Sequence, residues 1–487
     1  MFSKEYFTYL LKSKKYLLLL IVLITLLNVL GNAHNTIMMF LQGFFTIVLA
    51  FAVPIDVFYH VHNKKAVDTF FSIPVSRKAL LGTGIIFSFL VVYLPFACGI
   101  IRYGTAAKDV NTFLLLSEMA LTCLTTVVFN TMLYLIGNNL VDGVIMVGAY
   151  TCMPIAIIAI LNSFVFSYVA GLRSIEFYTI RFLSPICLGA FLFDSGVRLD
   201  SGDIFSIIAL IVILAVSAYL LYKSYVDRAA ERADSQSTAF FSFPFVINFY
   251  LIICLFLIAS FYNMNYSGLK DFLQDLFVPY LLLFAVFVAA YFVYRRKFYF
   301  SYKLPLFYIV ILVISLLCAS ACMDYKAFGL SNKYTKAHGK DYCSISIWTD
   351  YNNEIYNYIR DLEKTDPQYV QIFLEVGAAK ENMIAKVAMS DETSDIIDEL
   401  RKDAIEYFYE NKSEISDDGM LYISNRDDNK YYNYRMRKVP DLDVIKKLAI
   451  DPAVDVTIMT DNKEYQMLPD GTLKVLFDYS EVDVTED

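Results

Sequence analysis

Ile204-Phe-Ser-Ile-Ile-Ala-Leu-Ile-Val-Ile-Leu-Ala-Val-Ser-Ala-Tyr-Leu-Leu-Tyr222 holds no charged residue and no proline. At about 1.5 Å per helical residue, it nearly matches a hydrocarbon core about 30 Å thick. Eight further apolar stretches accompany it: Tyr16–Leu30, Ile37–Phe58, Leu80–Ile101, Phe113–Ile136, Val144–Val169, Phe245–Tyr262, Phe277–Tyr294 and Leu304–Cys322. Hydrophobic residues make up 57% of the 487-residue chain, which argues against a soluble enzyme. The fold class expected is a polytopic α-helical membrane protein of about nine spans with a C-terminal α+β soluble domain.

The first stretch is short. Leu10 and Leu11 extend it if the lysines between them snorkel. Pro54, Pro95, Pro154 and Pro279 fall inside spans, where neighbouring helices re-satisfy the freed carbonyls. A cleaved signal peptide is the rival reading of the first span. The small residues Gly31-Asn32-Ala33 fit it, but the charged lead-in is long and carries its own apolar residues.

Charge sets the expected orientation. With the N-terminus inside, the inner loops carry 15 Lys and Arg residues and the outer loops six. Nine spans then put the tail outside, and one span more or fewer would put it in the cytosol. From Met323 onward the chain has 34 acidic and 20 basic residues, whereas the part before it carries a net charge of +6. An acidic tail offers no basic face for nucleic acid. Seven of the eight cysteines lie in or beside spans, so no disulfide framework builds the tail.

In the tail, helical periodicity covers Asp350–Glu363, Asp391–Asn411 and Asp441–Ala449. The second opens after Ser390 with acids and cap residues. Strand-like alternation appears at Ser344–Trp348, Met383–Val387, Met420–Ser424, Tyr431–Met436, Val454–Met459 and Leu473–Asp478. Asp428-Asn429 and Pro469-Asp-Gly-Thr472 read as hairpin turns. The tail shows no nucleophile–base set, metal cluster or glycine-rich loop.

The segment with the most specific signal joins the second and third stretches. Lys64 to Phe71 suits a short amphipathic helix at the membrane surface, with Phe70, Phe71 and Ile73 apolar. Pro74 ends it, and Ser76 caps the next helix. From the residues alone, an ordinary basic loop fits equally well. His60 and His62 flank Val61 with no third ligand nearby, and read as a solvated loop rather than a metal site. Glu118 is an ionisable group inside a span and a candidate for a transport path, as is Asn130 on the polar stripe of Thr122, Thr125 and Thr126.

Asp68-Thr-Phe-Phe-Ser-Ile-Pro-Val-Ser-Arg-Lys78 resembles the segment between the second and third helices of type-2 ABC export permeases, whose bacterial members repeat (L/F)-S-(L/I)-P-(V/I)-S-R. The lead-in of Phe2, Tyr6, Phe7, Leu10 and Leu11 among lysines is similar to the family's interfacial helix. Ala170–Asp203, broken at Ser184, Pro185 and Gly189, resembles its re-entrant hairpin. The resemblance covers about the first 225 residues. It implies a six-helix permease over 1–222, a cytoplasmic linker at 223–244, three additional spans within 245–322 and an extracytoplasmic domain over 323–487, as in extended Gram-positive members. It also implies that Lys64, Lys65, Asp68, Phe70, Phe71, Ile73, Pro74, Val75, Ser76, Arg77 and Lys78 form the loop that couples to an ATPase.

The chain contains no G-x-x-x-x-G-K-[ST] loop, so ATP and Mg would belong to a separate ATPase subunit, and this chain is expected to be no enzyme and to bind no cofactor. A second permease, as homodimer or sibling chain, and the lipid membrane are the other implied partners. The function implied is export of a lipophilic or amphipathic compound across the plasma membrane. The alternative is a membrane-anchored sensor or scaffold whose tail binds ligand without transport. A secondary transporter would want inverted repeats, and no convincing repeat is visible.

Overall fold

The computed structural model describes residues 2–30, 36–106, 111–172, 181–195, 201–229, 233, 235, 241–265, 269–297, 301–330, 341–349, 354–363, 370–376, 391–410, 419–425, 430–436, 440–451 and 454–479. The helices of the first two thirds are α1 (Lys4–Ser13), α2 (Lys15–Leu30), α3 (Thr36–Val57), α4 (Lys64–Ser72), α5 (Arg77–Ala106), α6 (Thr112–Ile136), α7 (Leu140–Tyr168), α8 (Pro185–Ser195), α9 (Ser201–Val226), α10 (Phe243–Asn265), α11 (Leu269–Arg295) and α12 (Lys303–Asp324). Seven of them, α5, α6, α7, α9, α10, α11 and α12, are long and apolar enough to cross a membrane. Shorter apolar segments, Lys15–Leu26 and Gly43–Val57, occupy α2 and α3. All four prolines noted above lie inside helices.

The burial pattern of α9 shows why these helices belong in lipid. Ile204, Phe205, Ile208, Ile211, Val212, Val216 and Tyr219 are each more than half exposed. Ser206, Leu210, Ser217 and Leu221, on the opposite side, are buried. In water an apolar stripe of that length would be a liability, whereas in a bilayer it is the solvated face.

The chain divides into two compact units, Met1–Ala159 with Glu176–Cys254 and Leu281–Phe307, and Ile160–Ile175 with Leu255–Tyr280 and Tyr308–Asp487. In the first, α6 packs on α3, α5, α8 and α9, which makes it the central helix. Helix α1 lies along α5. Its N-cap Ser3 accepts a hydrogen bond from the Tyr6 amide at 3.3 Å and donates its own amide to Thr83 Oγ1 at 2.9 Å. Tyr6 and Leu10 form its buried face, in line with an amphipathic lead-in.

The second unit contains an antiparallel sheet of eight strands in the order β1-β5-β4-β2-β3-β6-β7-β8. They are β1 (Gly171–Leu172), β2 (Asp341–Thr349), β3 (Val370–Val376), β4 (Gly419–Asn425), β5 (Lys430–Arg435), β6 (Val454–Thr460), β7 (Lys463–Met467) and β8 (Leu473–Asp478). The register sets Leu421, Ile345, Leu374 and Val456 in one row, and Ile347, Ile372 and Ile458 in the next. All seven are buried. Helices α13 (Glu354–Glu363), α14 (Asp391–Glu410) and α15 (Leu442–Ile450) close that face through Ile355, Ile359, Ile397, Ala404, Ile445 and Leu448. Together these elements make the α+β domain expected of the tail.

Three strands go beyond the sequence reading: β1, β3 and β7. Strand β3 shows alternation at Val370, Ile372, Leu374 and Val376, but Phe373 on the other face blurs it. Strand β7 has only Tyr465 and Met467 to bury among polar neighbours. The expected strand at Met383–Val387, the turn at Asp428-Asn429 and the cap at Ser390 lie outside the described residues. The turn at Pro469–Thr472 is present and joins β7 to β8. The Gly471 amide donates to the Leu468 carbonyl, and Asp470 Oδ1 accepts from the Thr472 amide and hydroxyl. Those two hydrogen bonds hold the Asp470 carboxyl below its ordinary range.

Strand β1 is short but constrained. Gly171 has φ +88°, and a Cβ there would run into the Tyr434 ring of β5. Both the conformation and the close approach demand glycine. Gly171→Ala is expected to lower the unfolding midpoint of the full chain in micelles, at a cost of about 1–3 kcal/mol. An unchanged midpoint would remove β1 from the sheet.

Candidate functional site

The loop after α3 turns back on the bundle instead of entering solvent. Tyr59–His62 forms a turn of 3₁₀ helix, and Asn63 then caps α4, its Oδ1 accepting from the amides of Lys65 at 3.1 Å and Ala66 at 3.4 Å. Val67, Phe70 and Phe71, at the three- and four-residue spacing of one helix face, turn inward. Lys64, Lys65, Asp68, Thr69 and Ser72 remain exposed. The helix ends at Ser72, where Ile73 is extended ahead of Pro74, as that proline requires. Ser76 Oγ then accepts from the Ala79 amide at 3.3 Å and starts α5.

Aromatic contacts fasten the inward face. Phe70 stacks on the His60 ring at 4.3 Å and meets Tyr6 and Tyr9 of α1 edge-on. Phe71 lies edge-on to Tyr225 and under the Arg77 guanidinium, 4.1 Å from its ring centroid.

Two arginines then clamp helix ends. Arg77 Nη1 donates to the carbonyls of Val226 and Arg228, both at 2.9 Å, at the C-terminus of α9. The Arg228 side chain donates in turn to Leu135 at 2.8 Å and Gly137 at 3.2 Å, at the C-terminus of α6. Both guanidiniums sit where orphan carbonyls and the negative end of the helix dipole favour a cation. Arg77 is thus a positioning residue turned inward, while the exposed side of α4 carries Lys64, Lys65 and Asp68.

His60 and His62 depart from expectation. Each is 5% exposed rather than solvated. His60 Nε2 lies 3.3 Å from the Tyr225 hydroxyl, and His62 Nε2 donates to the Tyr134 carbonyl at 3.1 Å. Burial pushes the His60 imidazole down to about 4 and, with the Arg228 charge nearby, His62 down to about 3. A pair of histidines in a polar stretch carries no sequence signal for this burial, which depends on Tyr134 and Tyr225 arriving from distant helices. Beside them an open hollow of about 510 Å³ is bordered by Lys64, Lys65, Asn139 and Arg296.

At the opposite ends of the same helices lies a cavity of about 280 Å³ between α3, α5, α6 and α8. Thr122 and Thr126 line the cavity, but Glu118 and Asn130 do not. Glu118 is half-buried one residue before the wall, and its carbonyl accepts from Thr122 Oγ1 at 3.0 Å. Asn130 lies one turn beyond Thr126, where its side-chain amide donates to the Ala50 carbonyl at 2.9 Å and ties α6 to α3.

Helix α8 spans eleven residues, about 16 Å, too short to cross a bilayer. Ser184 precedes it, with Oγ accepting from the Ile186 amide, and Pro185 opens it. Gly189 is not a break, as the sequence suggested. The helix runs through it, and a Cβ there would strike Thr122, so glycine permits close packing on α6.

Arg228→Ala would leave buried carbonyls of α6 without a donor. The expected loss is about 3 kcal/mol or more, seen as a lower midpoint when a thiol-reactive dye reports exposure of Cys123 and Cys187. An unshifted midpoint would refute the clamp.

The buried histidines give a pH dependence with a definite sign. Their folded pKa values lie below the unfolded value, so the stability they contribute is complete above about pH 6.5 and falls as the unfolded state takes up protons toward pH 4. By pH 5 the loss is expected to be about 2 kcal/mol for each histidine. The midpoint should drop between pH 7.5 and 5, and His60→Gln with His62→Gln should flatten that drop. An equal slope in the double variant would contradict their burial.

Compared with protein families, curated proteins and solved structures, the chain matches none of them.

Proposed function

We propose that this chain is the membrane-spanning subunit of an ABC exporter, powered by a separate ATPase that binds ATP and Mg, and that α4 is the element on which the ATPase acts. One observation carries the reading. A short amphipathic helix lies at the end of the spans with a charged outer face, while its inner face is fixed through Phe70, Phe71 and Arg77 to the ends of α6 and α9. A push on such a helix moves the spans attached to it. A loop serving only to connect α3 and α5 would need none of these attachments. The Ser72-Ile-Pro-Val-Ser-Arg77 motif, on which the resemblance to type-2 ABC permeases rests, lies at the turn that leaves α4.

The partner would meet the exposed side of α4 and the basic hollow beside it. On this reading, that end of the bundle is cytoplasmic, and the sheet domain is extracytoplasmic. Two permease chains would form the transport path for a lipophilic or amphipathic cargo.

The test is co-purification of the tagged full chain from its native host in mild detergent, with mass spectrometry of its companions. A stoichiometric nucleotide-binding subunit is expected. It should be lost in the Lys65→Glu, Asp68→Lys variant, whose charges lie on the outer face, with no change in unfolding midpoint. If the intact, folded chain brings down no ATPase, the permease reading fails and the membrane-anchored sensor or scaffold takes its place.

A further inference from the structure

We propose that the cavity between α3, α5, α6 and α8 binds one hydrocarbon chain, the tail of an amphiphile. The assignment rests on the cavity itself and is independent of whether an ATPase docks at α4.

The walls define the ligand's chemistry. Ile47, Val92, Phe96, Met119, Ile186 and Phe193 present apolar surface, and no charged side chain lines the space. Its polar side chains are threonines. The hydroxyl of Thr122 donates to Glu118 and that of Thr126 to Thr122, each within its own helix. Those protons are already used, so a polar ligand would lose its hydrogen bonds to water and gain few in return. Water itself needs two to four polar partners and is poorly served here. A saturated chain forfeits no hydrogen bonds on entry.

The mouth is on α3. A Cβ added at Gly43, which lines the cavity, would meet nothing within 4 Å, so a larger side chain there has room to enter. Phe44 and Ile47 beside it are 52% and 40% exposed, an apolar surface of the kind that faces lipid. The entrance therefore opens toward the medium in which hydrocarbon chains are already dissolved. On the far side, Gly189 holds α8 close to Thr122, and Ala190 keeps the lining thin.

The experiment uses the full chain in phosphatidylglycerol nanodiscs. One arm carries a phosphatidylglycerol with a diazirine in its acyl tail, the other a free fatty acid with the same tail. Photolysis and peptide mapping then locate the adducts. The expected result is adducts concentrated on Met119–Thr126 and Ile186–Phe193, reduced at least tenfold by Gly43→Phe, which fills the entrance. Ala190→Leu, which narrows the space from α8, should act in the same direction and covers the case in which Gly43→Phe does not fold. Labelling in both arms would identify the ligand as a resident lipid tail, and labelling by the fatty acid alone a free amphiphile. Adducts spread evenly over lipid-facing positions such as Ile208 and Val212, or cavity adducts unchanged in the folded variants, would overturn the proposal.

Discussion

The membrane unit depends on two guanidinium groups in series. Arg77 binds the carbonyls that end α9, one of them belonging to Arg228, and Arg228 binds the carbonyls that end α6. Three chain segments far apart in sequence thus meet at one polar knot. Without it, at least four carbonyls at helix ends would lack these charged donors, in surroundings where water is scarce. Arginine suits the task better than lysine. Its planar fork reaches two acceptors at once and never loses its charge, and its flat face rests on Phe71. The aromatic cluster around Phe70 and the burial of both histidines follow from this anchoring, because α4 has nowhere else to lie.

Polar and apolar features segregate along these helices. The end that bears α4 is held by charge-assisted hydrogen bonds and aromatic stacking. The opposite end, near α8, is held mainly by apolar packing of Ile100, Leu115, Leu188 and Leu192, with one hydrogen bond from the Tyr93 hydroxyl to the Leu116 carbonyl, while Thr122 and Thr126 bond within α6. The first kind of contact is directional and fixes geometry. The second is non-directional and leaves a cavity between α3, α5, α6 and α8. Asn130 separates the two regions through its bond to the Ala50 carbonyl.

Much of this was legible in the sequence. Length and hydropathy located the apolar helices, since a bilayer demands about twenty apolar residues whatever their neighbours are. The apolar pair Phe70 and Phe71, with Pro74 after it, marked α4 within a residue or two, but Ile73, expected on the same face, lies beyond the helix end and is exposed, while Val67 takes the buried place. What stayed hidden depends on partners distant in the chain. Arg228 reads as one more positive charge after a span. His60 and His62 read as soluble because nothing local shows that Tyr134 and Tyr225 will cover them. Gly189 reads as a helix breaker until Thr122 is seen against it. In the tail, β7 escaped notice because it buries only Tyr465 and Met467 among polar residues.

The pairing of β1 with β5 imposes an arithmetic on the whole chain. Gly171 faces Asn433 and Leu172 faces Tyr432, so the points just after α7 and deep in the tail must share one aqueous compartment. The polypeptide between them must therefore traverse the bilayer an even number of times. Helices α9, α10, α11 and α12 meet that condition if all four cross, and α8 is too short to alter the tally. A chain with one of them failing to insert would carry β1 and β5 on opposite sides of the membrane. Its sheet would then lack the two-residue strand that pairs with Tyr432 and Asn433 of β5. Two residues of strand thus tie the closing of the sheet to the number of crossings between them.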